Sequence, residues 1–209
     1  MLSFLKGATE RGPMTLPLFP LKTVLFPGGL LPLRIFEQRY IEMAKACLKD
    51  EQPFGVCLIT EGDEVAKVAA GPPRFAPIGA LATIAAWDMP QLGILHVTAE
   101  GGARFQVRSH TVQTDGLVVG EVTRIPTEPA VGLPATYAPL ARLLELLAAR
   151  IGPRQFPEAR GFDDASWVGY RLAELLPLPL PIKQGMLEIN DSEVRLQLLQ
   201  KFLRQQGLI

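Results

Sequence analysis

A chain of 209 residues with 48% hydrophobic and 20% charged residues has a globular composition, which excludes disorder of the chain as a whole. Its 21 basic and 21 acidic residues cancel, so it lacks the basic excess with which nucleic-acid binders and polybasic membrane surfaces neutralise phosphate. No apolar run reaches membrane-spanning length, the first residues lack a signal-peptide pattern, and Cys47 and Cys57 form no C-x-x-C pair; they read as small apolar residues in a reduced compartment, and the expected location is the cytoplasm.

In chain order, residues 1–15 are expected to be a tail. Residues 16–21 and 30–35 are short apolar runs around the turn Phe26-Pro27-Gly28-Gly29, and predict two strands. Phe36, Tyr40, Met43, Ala44, Cys47 and Leu48 then fall at helical spacing, which predicts a helix over 37–49. Residues 54–60 read as a strand ended by the acidic turn at 61–64. Residues 78–87 and 92–99 read as a hairpin around Asp88-Met89-Pro90-Gln91, and Gly101-Gly102 as the next turn. Over 103–112 the alternation places Ala103, Phe105 and Val107 on a packed face and Arg104, Gln106, Arg108 and His110 on a wet one. Residues 117–125 make the last strand. Several antiparallel strands with one early helix suggest a small closed or nearly closed barrel.

Residues 126–134 have the composition of a linker. Beyond them, over 135–209, the pattern is helical. Leu140, Leu143, Leu144, Leu147 and Ile151 make one stripe, Val168, Leu172, Leu175 and Leu176 a second, and Val194, Leu198, Leu199, Phe202 and Leu203 a third. Asn190 or Asp191 is placed to cap the last helix, with Glu193 completing a capping box behind Asn190. Such stripes need partners, so these helices should bundle with one another or against the strands.

The string from Leu16 to Tyr40, LPLFPLKTVLFPGGLLPLRIFEQRY, resembles the opening of the Lon N-terminal domain family. GARFQV from Gly102 is similar to that family's G-x-R-F-x-V strand. Ser166-Trp, the run from Arg171, Lys183-Gln-Gly-Met-Leu-Glu, Asp191 and Arg195-Leu resemble its helical half. The resemblance runs from about Leu16 to the C-terminus. It implies an α+β fold: a PUA-like β-barrel subdomain with one helix over 16–125, then a helical bundle over 135–209. It also implies a polypeptide-binding role, because in Lon-type proteases this domain engages substrate chains. The ATPase and protease parts of Lon would begin where this chain ends, and no G-x-x-x-x-G-K-[ST] loop is present to hold triphosphate. None of Ser3, Ser109, Ser166 and Ser192 lies in a sequence like Lon's catalytic serine motif. Ser166 and Ser192 fall at helix starts, where capping is the plain role. The expectation is a free copy of the domain that is not an enzyme and needs no cofactor.

Among candidate site residues, Phe36, Glu37, Arg39 and Tyr40 read as a structural motif, with Phe36 and Tyr40 in the core and the charged pair joining strand to helix; the other reading makes Glu37 and Arg39 face a ligand. Phe26, Pro27, Trp87 and Met89 sit at expected loops and are candidates for a partner-binding patch, the other reading being that they fold back onto the core. His96 and His110 have no companions at metal-ligand spacing, and Glu61, Asp63 and Glu64 lack a calcium-loop pattern, so no metal is expected. Asp163-Asp164 reads as a helix start. The expected partner is unfolded or extended polypeptide, with a protease as a further candidate. RNA binding through the barrel is the competing reading: Arg104, Arg108 and His110 on one face speak for it, and zero net charge against it.

Overall fold

The computed structural model describes residues 12–64, 73–152, 156 and 161–209; Ser3 and most of the expected tail lie outside them. The first strand starts inside that expected tail. The order is β1 (Pro13–Leu21), β2 (Leu30–Ile35), α1 (Gln38–Asp50), β3 (Phe54–Glu61), β4 (Arg74–Phe75), β5 (Ile78–Gln91), β6 (Ile94–Val112), β7 (Val118–Arg124), a 3₁₀ turn (Ala135–Tyr137), α2 (Ala138–Ile151), α3 (Ala165–Leu175), α4 (Leu180–Glu188) and α5 (Ser192–Gln205). It is a mixed fold: one mostly antiparallel sheet of seven strands and, among the described residues, five α-helices. The pairings β1–β7, β7–β6, β6–β5, β5–β3 and the parallel β3–β1 return to their starting strand. Leu16, Leu18, Cys57, Leu81, Phe105, Val118 and Val122 come from all five of these strands and pack together.

Two turns differ from expectation, both on β6. The hairpin turn is Leu92-Gly93, with Gly93 at φ +83°, so Asp88 to Gln91 are strand. Gly101-Gly102 is also no turn, because β6 runs through it. Gly101 exchanges backbone hydrogen bonds with the Phe26–Gly29 loop, Gly28 N–H donating to Gly101 O (2.6 Å) and Gly101 N–H to Gly29 O (2.8 Å). A Cβ on Gly101 would stand 2.1 Å from Phe26 O, so the glycine is there for close approach of backbone to backbone.

The helical half was read with a shifted face in α5. Leu196, Leu199 and Leu203 are fully buried, together with Arg195, while Val194 and Leu198 face outward. α4 begins just after Pro179 with Pro181 in its first turn; prolines that break an apolar run suit a helix start, since the missing N–H would be unbonded there. Asp191, not Asn190, caps α5, accepting from the Glu193 and Val194 N–H groups. Asp164 caps α3 by accepting from Trp167 N–H (2.6 Å). Neither serine caps its helix: Ser192 is buried in the first turn of α5, and Ser166 Oγ donates to Glu128 (2.9 Å).

Glu128, in the segment expected to be a linker, is the centre of a buried polar cluster. Arg195 donates to both of its oxygens, NH1 to Oε2 at 3.0 Å, and Tyr170 O–H donates to Oε1 at 2.6 Å. Arg195 lies over the Tyr170 ring at 3.8 Å and also donates to the Met186 and Ile189 carbonyls. Arg104 of β6 is buried beside them, donating to the Leu187 and Ile189 carbonyls and to the Asn190 side chain, 3.5 Å from Glu128 Oε1. Arg104 is therefore not on a wet strand face, as alternation had suggested; the helices cover it. Val24, Phe26, Leu58 and Ala76 of the strand half share a core with the helices.

Two stability results follow. Leu199→Ala should cost about 2–5 kcal/mol and Leu198→Ala under about 1 kcal/mol, compared by denaturant unfolding; equal costs would place the face of α5 wrongly. For Glu128, burial pushes its carboxyl up, but the hydrogen bonds from Arg195, Tyr170 and Ser166 and the Arg195 charge outweigh it and hold the group below the ordinary carboxylate range. Its stabilisation is then complete above the unfolded-state value and is lost as pH falls through the depressed folded value. Glu128→Ala should lose about 3–5 kcal/mol near neutral pH, and the gap from the parent should shrink in acid, whereas exposed Glu145→Ala should show neither effect in pH-dependent melting curves.

Candidate functional site

Four of the large exposed apolar side chains among the described residues stand around the end of the β5–β6 hairpin. Trp87 is 58% exposed, Leu92 93% and Phe36 54%, and Met89 is exposed as well. β2 lies against this hairpin, Leu33 opposite Val97 and Arg34 opposite His96, while Trp87 and Asp88 of β5 face the same two β6 residues from the other side. The result is a three-stranded flap, β2–β6–β5. Successive residues of β2 alternate faces: Ile35 is buried, Leu31 and Leu33 are half-buried, and Pro32 and Arg34 are exposed.

Two grooves meet at Pro32, Leu33 and Arg34. One, of about 460 Å³, runs across the flap past Ala86, Trp87, Asp88, His96 and Thr98. The other, of about 350 Å³, runs from β2 toward β1 and α1 over Phe19, Leu21, Phe36, Tyr40 and Glu64. Exposed apolar side chains gathered beside grooves are typical of contact surfaces.

The Phe36–Tyr40 motif is split by the structure. The helix starts at Gln38, so Phe36 precedes it and projects outward instead of entering the core. Tyr40 is buried and stacks on Phe19 at 3.9 Å, its hydroxyl pushed up to about 12 by burial. Arg39 donates to Glu37 (2.8 Å) and to Gly116 O (2.7 Å) and sits over the Tyr40 ring, so it ties α1 to the β6–β7 turn.

Phe26 is likewise not in solvent. It is fully buried, its ring 5.9 Å from Tyr170, because its loop is pinned between Gly101 on β6 and Arg171 on α3, which donates to Pro27 O (2.9 Å). Pro27 is half-buried and lines a third groove, of about 510 Å³, with Gly102, Pro126, Pro129, Trp167 and Tyr170. This one lies at the junction of strands and helices. Its polar groups Glu128, Ser166, Tyr170 and Arg104 are already engaged with one another or with backbone, while Glu100 and Thr127, which also line it, are exposed.

Both cysteines are free and buried; burial pushes the Cys47 thiol up to about 11 and Cys57 to about 12, far from a reactive thiolate. His110 packs on the Phe75 ring at 5.0 Å. Among the described residues no group of three His, Cys, Asp or Glu side chains is arranged for a metal, and no helix is long and apolar enough to cross a membrane. Sequence reasoning missed the Glu128–Arg195–Tyr170 cluster and the exposed Phe36 and Leu92. An arginine on the buried side of an apolar helix stripe was the available signal for the first.

Comparison with known proteins agrees with this fold. The sequence model of the ATP-dependent protease La (LON) substrate-binding domain matches residues 15–205. The chain is 28% identical to a Lon protease of Phenylobacterium zucineum over 94% of its length, and 25% identical to Lon protease 2 of Myxococcus xanthus over 91%. It spans about a quarter of those relatives, 26% and 24%. The crystal structure of a Lon N-terminal domain protein from Xanthomonas campestris superposes with a TM-score of 0.74 at 34% identity, covering 90% of this chain and 98% of that one. The N-terminal domain of a Mycobacterium avium complex Lon protease, at 18% identity and TM-score 0.61 over 89% and 96%, shares the fold. The chain belongs to the Lon substrate-binding domain family.

Proposed function

We propose that these residues form a non-catalytic module that binds unfolded or extended polypeptide. The observation that carries the reading is the exposed apolar set Phe36, Trp87, Met89 and Leu92 around the hairpin end, of which Trp87 and Phe36 each line one of the two grooves at β2, on a domain whose family is described by substrate binding. Aromatic and Met side chains supply adaptable contact area of the kind such recognition uses. Trp87 and Met89 are the partner-contact residues; Phe26 and Pro27 instead hold the framework. The closed strand circuit supports a PUA-like barrel, the helices packed about α3 a bundle, and residues 126–134 the division between them. A cytoplasmic adaptor that presents chains to a protease is the finer form of this proposal. RNA binding loses Arg104, which is occupied in the interior.

The test is a titration of reduced, carboxymethylated α-lactalbumin and of a single-stranded RNA, each at low and moderate salt. Binding to the unfolded chain should depend little on salt; salt-steep binding to RNA alone would overturn the proposal. Trp87→Ala with Met89→Ala should weaken binding roughly tenfold or more and leave the melting curve in place. An unfolded double variant would put both side chains in the core instead. Arg39 is proposed as structural, so Arg39→Ala should cost about 3 kcal/mol of stability. An unchanged melting curve with lost polypeptide binding would make it a contact residue.

A further inference from the structure

β2 has one paired edge and one open edge. Its six residues pair only with β6, and among the described residues no backbone hydrogen bond engages the other side. The 350 Å³ groove lies along that open side, floored by Phe19, Leu21 and Tyr40, while the 460 Å³ groove crosses the paired side; both take in Pro32, Leu33 and Arg34. An open row of N–H and C=O groups beside an apolar floor is what an extended chain recognises, because its backbone pairs with the edge and its alternate side chains fall to two faces.

Charge sets a direction on this surface. Glu64 accepts a hydrogen bond from Lys22 N–H, but the Lys22 side chain pairs with Asp63, and among the described residues no cation pairs with Glu64. Glu37 lines the same groove with its charge answered by Arg39. Among the described residues the groove thus holds a carboxylate with no paired cation, Glu64, and an exposed cation, Arg34, on β2.

We propose that a bound polypeptide adds to the open edge of β2 as an extra β-strand, with alternate apolar side chains over Phe19, Leu21 and Tyr40 and a basic side chain at Glu64. This rests on the polypeptide-binding reading and specifies its geometry. Pro32 offers no N–H, so the added ladder is short.

The experiment uses the full chain and a fluorescein-labelled decapeptide with valine at alternate positions, polar residues between them and one lysine. Its backbone is N-methylated at one position at a time. Strand addition predicts that methylation weakens binding roughly tenfold at every second position within the paired stretch and changes it little at the positions between, since only alternate N–H groups face the edge. Replacing the lysine by norleucine should weaken binding to the parent and not to Glu64→Gln. Binding of the decapeptide that is indifferent to methylation at every position overturns strand addition and leaves polypeptide binding intact. Binding neither to the peptides nor to the unfolded α-lactalbumin overturns both. Self-association of the chain that the decapeptide cannot displace assigns the edge to a second copy and likewise overturns the proposal.

Discussion

One carboxylate holds the two halves of the fold in register. The Glu128 side chain is nearly devoid of solvent contact and meets Arg195 of α5, Tyr170 and Ser166 of α3 and, at longer range, Arg104 of β6. The arginines spend their remaining donors on the carbonyls of Met186, Leu187 and Ile189, where α4 ends and no helical partner is left for those oxygens. The cluster is well satisfied, so removing Glu128 or Arg195 leaves its charged partner without that pairing in the interior. Its value lies less in net stabilisation than in fixing where a strand, a loop and three helices meet.

The same junction anchors the Phe26–Gly29 loop. Phe26 enters the core of the helices, Arg171 takes Pro27 O, and Gly101 lets the loop lie flat on β6. β2 begins at the next residue, Leu30, so the position of the flap is inherited from this anchorage. Under the polypeptide-binding role proposed above, a fixed support behind exposed apolar side chains lets the contacts vary while the scaffold stays the same.

Much of the fold was legible in the sequence because periodicity reports burial. β2 was read residue for residue, and α1 and β3 within a residue or so at each end. The misreadings share a cause: local pattern cannot see what a distant element does. Gly101-Gly102 reads as a turn until a second backbone arrives to use the missing side chain. Arg104 alternates to the wet face of its strand, yet the end of α4 and the link to α5 close over it. Arg195 interrupts the apolar stripe of α5, which moved the reading onto Val194 and Leu198. Residues 126–134, expected as a linker, have neither helix nor strand apart from a bridge at Gly132, and nothing near Glu128 in sequence announces that its partners lie about forty and nearly seventy positions away. Of the candidate contact residues, Trp87 and Met89 are exposed beside the grooves, Phe26 is not, and Phe36 joins the exposed set because the helix starts after it.

Amide hydrogen exchange on the chain, free and saturated with an unfolded protein, tests the placement of binding most directly. If β2 and the hairpin hold the polypeptide, exchange slows in residues 30–36 and 86–97 and is unchanged over 125–130 and 161–175. Slowing confined to the junction of strands and helices, with the flap unaffected, would contradict it.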